Sequence, residues 1–578
     1  MASYQQSQPF DQADSGPDAF RIRAQSTDAT RYLCAAAYLD GHFTRQVIDE
    51  VLHESNRAVA PSYGVDLGPI VRHCLEAERR LLNRDGVVTA TLALVMLFAV
   101  ANGATIVLGS VGLWLAVEAF RMFAKRVVNA GLVLLGAAAL LFFLALRGMS
   151  QMAAYGGYPE EQGSSGGPWV LGVLALLVIW GAYFWHRVAV HRTIVADLTP
   201  AAFAGKRAPA ANLVHEGRLA YVDEAQKGNV TVYSPDWAVR PFVGSGVVMT
   251  EWNLVTPLRP ARVELSTGVP LPAAGDGRAE PRSGETHSAA PFDVRSLYER
   301  AREGLVALAH PSLPPHERIN HLSVQDRVFV AGLLPADSPF LDAERRPVFR
   351  MTADAVQAVD RAERGQTRHY QTVRMAAWQG ELEITTFLYA AIRGGMLYVE
   401  FVATKLPGIR PEFRAIDSYE RLGPGQTVLA GLRAIADVAS CPRAVANLGA
   451  RAVTAIGRAL DPAAAGKEID RRLGFDYGAR SSVRELGAHF TRSVRFQDYD
   501  ANERVSLVER QLLEIVVDTM REFGYDVSDL AGQAATIINN STLVGSVSGT
   551  GVAVGAGSKS TVIGDRRAAA ARPAGSSS

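Results

Sequence analysis

Residues 86–186 form an apolar block broken only at 121–126 and across 147–168. It divides into three runs, 86–120, 127–146 and 169–185. A helix of about 20 apolar residues crosses a bilayer, because lipid offers backbone groups no partner outside their own ladder. The last two runs are close to that length. The first is too long for one crossing, since a helix of its length would stretch roughly 52 Å at 1.5 Å per residue. Asn102-Gly103, a turn dipeptide, lies near its centre. The run therefore predicts either a hairpin of two spans, 86–101 and 104–120, or one span whose second half lies along the interface. Basic residues precede the block (Arg79, Arg80, Arg84), fill its short loop (Arg121, Lys125, Arg126) and follow it (Arg187, Arg192). The 147–168 loop sets a single Arg against Glu160 and Glu161. Because cytoplasmic loops collect Lys and Arg, an even number of crossings is expected, with both termini cytoplasmic.

Outside the block the pattern is that of soluble protein. Residues 1–20 are expected to be disordered and 21–85 to form a short helical cytoplasmic unit. Within it, 44–58 sets Val47, Ile48, Val51 and Leu52 against Asp49, Glu50 and Glu54, the spacing of an amphipathic helix. A second helix is expected over 67–82. After the block, 187–265 reads as a membrane-proximal segment, partly helical over 193–219. It continues into strands over 229–233 and 246–258, with Ser234-Pro235-Asp236 turning between them. Residues 266–290 read as a linker or loop, and 291–530 as a cytoplasmic α+β domain. The clearest unit there is an antiparallel meander over 369–406, with turn chemistry at Gln379-Gly380 and Gly394-Gly395. Helices are predicted over 292–310 and 427–460. A long one starts at Asp500, where Asp500 and Glu503 match a capping box, and ends at Gly524. The fold class is thus an α-helical membrane region plus a cytoplasmic α+β region with an antiparallel meander.

The tail, 535–564, is nearly free of charge and of proline, and short apolar pieces recur in it, each followed by Gly545, Gly555 or Gly564. Such a Gly-rich, β-prone segment stacks on copies of itself, stays disordered or adds a pair of strands to the domain. Residues 565–578 are expected to be disordered. The first twenty residues have neither a basic region nor an apolar core, so they are not a signal peptide, and the first span is expected to direct insertion.

Net charge is +1 over 578 residues, which leaves no electrostatic footprint for nucleic acid. Cys34, Cys74 and Cys441 form no CxxC and no disulfide framework. Within the block Glu118 is the one ionisable residue well inside an apolar run, too few for a conducting path, so an anchor is favoured over a transporter. His310, His316 and His321 with Glu317 are broken by Pro311, Pro314 and Pro315 and read as a surface turn, not a metal site. Phe242–Val247 is similar to the strand before the catalytic His of trypsin-like proteases, but no His follows in reach, and its glycines are expected to permit a bend. Glu381, Glu383 and Glu400 lie on the meander, where the first two share a face by the period of two; a solvated face is preferred over an acid pair. The string GVAVGAGSKST at 551–561 separates Gly557 from Lys559 and is not a phosphate loop. No catalytic residue, cofactor-binding residue, metal ligand or cofactor is assigned.

The layout, together with RPFVGSG (240–246), HYQTVRMAAWQGELEITTF (369–387) and the ATIINNSTLVG and GVAVGAGS pieces of the tail, resembles a group of uncharacterised multi-pass membrane proteins of GC-rich, actinomycete-type bacteria. That resemblance brings no activity or site residue with it. The expected role is a multi-pass protein of a bacterial plasma membrane, its partners being the lipid bilayer, other proteins and, through the tail, copies of itself. On this reading the α+β region serves as an interaction or scaffold module. A membrane-tethered enzyme with its site in the 369–406 meander is the alternative, and a transporter a more distant one.

Overall fold

The computed structural model describes residues 17–101, 167–205, 208–236, 241–261, 290–460 apart from 315 and 362–364, 469, 474–490 and 494–544, with scattered positions between 112 and 143. At the N-terminus α1 (Pro17–Leu39) leads into α2 (Gly41–Ile48). Asp40 caps α2, its carboxylate accepting from the His42 and Phe43 N–H groups. The amphipathic helix expected over 44–58 begins earlier and ends sooner, loosening into a π turn at Asp49–His53. Next comes α3 (Leu67–Ala101), which runs without a break through the Arg79–Arg84 cluster into the apolar block. A soluble helix and a span that the sequence separates are therefore one rod.

The rod packs against α4 (Gly167–Asp197). Arg80 donates to Thr193 at 2.5 Å, Arg84 lies over the Tyr183 ring at 5.1 Å, and Val88 shares a small core with Ile179. As the number rises on α3 it falls on α4, so the two helices are antiparallel, and residues before α3 and after α4 lie at the same end. The segments Leu67–Phe98 and Gly172–Asp197 are long and apolar enough to cross a membrane. Among the described residues these are the two helices of that kind, and they overlap the expected spans 86–101 and 169–185. The spans expected over 104–120 and 127–146, and the Asn102-Gly103 turn, fall outside the described residues or on scattered positions.

Two helices, α5 (Pro200–Gly205) and α6 (Leu213–Gln226), lead into a six-stranded mixed sheet. Its strands are β1 (Val230–Tyr233), β2 (Val247–Pro257), β3 (Leu322–Ala331), β5 (Thr367–Ala377), β6 (Leu382–Arg393) and β7 (Met396–Leu406), in the order β1-β3-β5-β6-β7-β2. Between β3 and β5 the short β4 (Leu333–Leu334) pairs with β8 (Phe475–Asp476). Only β1 runs parallel to its neighbour β3. The meander forms as its turn chemistry requires: Gly394 and Gly395 take successive positive φ values of 57° and 72°, the geometry of a tight hairpin that keeps strand twist. Strands β1 and β2, read as neighbours across a turn, sit at opposite edges of the sheet. Beyond Tyr233 the chain bridges to Ala479, and Phe242 lies on the sheet face before β2 pairs with β7. The strands before residue 258 and the meander thus belong to one sheet.

One face of the sheet (Val373, Met375, Ile384, Leu397, Val399, Phe401) forms the main core with α7 (Val294–Ala307) and, beyond α8 (Ala353–Arg361), with later helices. A short helix, α9 (Pro411–Arg414), joins the N-terminal helical core through Phe413. Then α10 (Pro424–Val438) and α11 (Cys441–Leu460) pack on α4 and α3, and α12 (Val483–Leu486) returns to the opposite sheet face. Covering the main core are α13 (Arg495–Glu522) and α14 (Ser528–Val544). Helix α13 starts five residues before Asp500, whose carboxylate accepts from Trp378 Nε1 at 2.8 Å instead of capping. Gly524, at φ 81°, ends it as expected. The first ten residues of the tail, 535–544, continue α14, since Leu530, Ala534, Ile537 and Ile538 join the main core at helical spacing. Residues 545–578 lie outside the described residues.

Candidate functional site

The sheet face opposite the main core carries charge. Alternation along β5 and β6 places Arg374 and Glu383 on it, and residues 61–64, 241–246 and 482–487 close over them. The chain enters along residues 241–246. Phe242 lies flat on Phe387 at 4.1 Å between ring centroids, with the edges of Phe329 and Tyr370 against it. The backbone then turns through Gly244 (φ 95°) and Gly246 (φ 89°), pinned by Ser245, whose N–H and Oγ both donate to the Phe242 carbonyl. A Cβ at Gly244 would stand 2.1 Å from the Pro61 carbonyl oxygen, and one at Gly246 would stand 2.2 Å from that of Lys405. The glycines thus permit the expected bend and also a close approach of three backbone segments.

Both glycine N–H groups donate to one atom, Glu485 Oε1, each at 2.9 Å. The other oxygen of Glu485 accepts from the Ser482 N–H at 3.3 Å, so Glu485 is also the returning arm of the capping box that starts α12. Burial raises its pKa even though these backbone N–H groups favour the carboxylate. Ser482 Oγ in turn lies 2.9 Å from Ser62 Oγ.

Arg484, the largest fully buried side chain, sits beside it. One nitrogen, Nη2, donates to the Pro407 carbonyl at 2.9 Å, and burial lowers the guanidinium to about 10 against the pull of Glu383, Glu381 and Glu485. Glu383 is buried and 3.4 Å from Arg374 Nη2, while Arg374 covers the Tyr63 ring at 4.2 Å. Glu381 does not enter the strand. It ends the 3₁₀ turn before β6, reaches Arg414 at 2.6 Å and accepts from Gln497 at 3.3 Å. The face-sharing acid pair therefore becomes two separately committed carboxylates, Glu383 on Arg374 and Glu381 on Arg414. Glu400 is elsewhere, accepting from Tyr370 Oη at 2.8 Å and from Arg368 at 3.3 Å. As arranged, these groups latch five chain segments together by charge-assisted hydrogen bonds.

A second polar locus lies within the main-core face and was not singled out in the sequence. His369 is buried with Nδ1 3.0 Å from both oxygens of Asp360, and Nε2 lies 3.4 Å from Asp326. Arg302 holds the far oxygen of Asp326 at 2.6 Å, and the Tyr298 ring lies 4.7 Å from the imidazole. Burial alone lowers an imidazole pKa, but the hydrogen bonds and charges of the two aspartates outweigh it and raise His369 to about 9. The legible signal was polar His369 and Gln371 at the strand parity of core residues Val373 and Met375. The two aspartates could not have been found from sequence, because they come from β3 and α8.

His310 bonds Ser312 at 2.7 Å, His316 is 3.5 Å from Glu317 and His321 is a turn residue at φ 59°. Among the described residues no group of His, Cys, Asp and Glu could hold a metal ion. All three cysteines are buried free thiols. Residues 551–561 fall outside the described residues.

No curated protein and no solved structure matches the chain. A family model described as an AbeC-like domain matches residues 251–553. The match starts within β2 and takes in the meander, Glu381, Glu383, the Arg484–Glu485 latch and both closing helices. It extends over more than half of the sequence, and the chain belongs to the AbeC-like domain family.

Proposed function

We propose that the chain is a multi-pass membrane protein with both termini on the cytoplasmic side, its α+β domain acting as an interaction or scaffold module fixed rigidly at the membrane surface. The observation that carries this reading is the docking of the domain onto the base of the antiparallel apolar helices. Arg187 of α4 pairs with Asp437 through both oxygens at 2.5 and 3.0 Å, Trp180 donates to the Gly431 carbonyl at 3.0 Å, and Arg451 approaches Glu78 of α3 at 3.5 Å. The charged latch around Arg484 then joins the helical unit to the sheet, so the domain has little freedom to swing. A module held this way presents a fixed surface to partners at the membrane. The carboxylates of the meander bind arginines or a tyrosine, which favours a structural use over proton transfer. The low-charge segment 545–564 adds the prospect of assembly with further copies.

The test is affinity purification of the full chain from native membranes after crosslinking, beside complementation of a deletion strain by Glu381→Gln and Glu400→Gln. The expected result is recovery of defined protein partners and full complementation by both variants. Loss of complementation by either one, with the protein still folded and membrane-bound, would replace the scaffold reading with that of a membrane-tethered enzyme.

A further inference from the structure

Helix α10 carries an apolar face that nothing among the described residues covers. Val428, Leu429, Leu432 and Ile435 recur at helical spacing and are 64, 45, 60 and 59 % exposed, a cost in water that a soluble surface seldom accepts in one stripe. The opposite face is fully engaged: Ala434 is buried against α4, Gly431 meets Trp180 and Phe184, and Asp437 holds Arg187. The position of the helix is informative. Its contacts on α4 run from Arg187, held by Asp437, to Trp180, which meets Gly431, and so cover about the first 10 Å of the apolar run. That is the depth at which an amphipathic helix rests between headgroups and acyl chains. Trp180, Phe184 and Trp185 place aromatic rings at the same level, the placement of interfacial anchors. The stripe is continuous with the exposed apolar surface of α4 above it, at Val173, Leu174, Leu176 and Leu177. Within α10 the charged residues are Arg433, which is exposed and can meet anionic headgroups, and Asp437, already paired.

We propose that α10 is an in-plane membrane helix, with Val428, Leu429, Leu432 and Ile435 seated at the acyl–headgroup boundary. The occupant of this face is lipid, and the helix serves as a second, lateral attachment that sets the domain's tilt on the membrane. This rests on the membrane reading given above for α3 and α4.

The experiment uses the full chain reconstituted in phosphatidylcholine–phosphatidylglycerol vesicles, with an environment-sensitive fluorophore on one introduced cysteine at a time. Leu432→Cys and Ile435→Cys test the stripe, Leu177→Cys reports the span, and Val306→Cys reports the exposed surface of α7. Shallow spin-labelled lipids are expected to quench positions 432 and 435, deep ones to quench 177, and neither to quench 306. Quenching at 177 without quenching at 432 and 435 would overturn the proposal and leave the span intact. Absence of quenching at 177 as well would overturn the membrane reading itself. Self-quenching at 432 between copies, without quenching by lipid, would assign the stripe to a second copy and overturn the lipid assignment.

Discussion

Gly244 and Gly246 show how much a single backbone position can carry in this protein. Each needs a positive φ, each lies against another segment's carbonyl where a Cβ has no room, and each gives its N–H to Glu485. Gly246→Ala is therefore expected to cost at least about 3 kcal/mol, since strain and clash add. Gly394→Ala, also at positive φ but facing open space, is expected to cost only about 1 kcal/mol. Glu485→Ala leaves two partly buried N–H groups without their acceptor and removes the capping box, for a loss of about 3 kcal/mol. Thermal unfolding of the three variants in one detergent checks the order. Equal effects of the two glycine substitutions would mean that φ alone matters and that the close approach does not. The bend at these glycines was legible from their spacing. The partner was not, because Glu485 is more than two hundred residues away, and only folding makes the two neighbours.

At the scale of elements, His369 makes the joint between β5, β3 and α8 depend on pH. Its folded pKa, about 9, lies above the ordinary 6.5, so protonation favours the folded state. The contribution is complete below pH 6.5 and is lost as pH rises through 9. A shift of this size corresponds to about 3 kcal/mol. Unfolding followed from pH 6 to 10 is expected to show this decline, whereas His369→Gln should be less stable at pH 6 and lack this part of the pH dependence. An unchanged decline in the variant would assign it to another group. The meander was legible because its apolar alternation and glycine corners are local. The start of α13 was misread for the converse reason. Asp500 has the chemistry of a cap, but Trp378, far away in sequence, takes its carboxylate. The helical course of 535–544 likewise follows from long-range burial of Leu530, Ala534, Ile537 and Ile538, which overrides a β-prone composition.

On the scale of the whole molecule, the Arg187–Asp437 pair is where the apolar helix α4 and the domain meet. Both side chains are about one-third exposed, so screening keeps the pair's worth near 1 kcal/mol, while its geometry fixes orientation. Asp437→Arg is expected to loosen α10, seen as faster amide exchange across 424–438, and adding Arg187→Asp is expected to restore protection. Failure of the double variant to recover would show that packing at Gly431 and Trp180, not charge, holds the interface. By itself the sequence determined what is local or additive: the apolar block, its basic flanks, the meander and most helices. Hydropathy and turn chemistry act over a few residues and can be read in order. Tertiary structure alone decided that α3 is one rod, that β1 and β2 lie at opposite edges of the sheet, and that Glu381 and Glu383 pair with different arginines. It also decided that α10 packs against α4 through Gly431 and Trp180. Each of these is a pairing between distant segments, settled by burial and by partners for charge that no local pattern records.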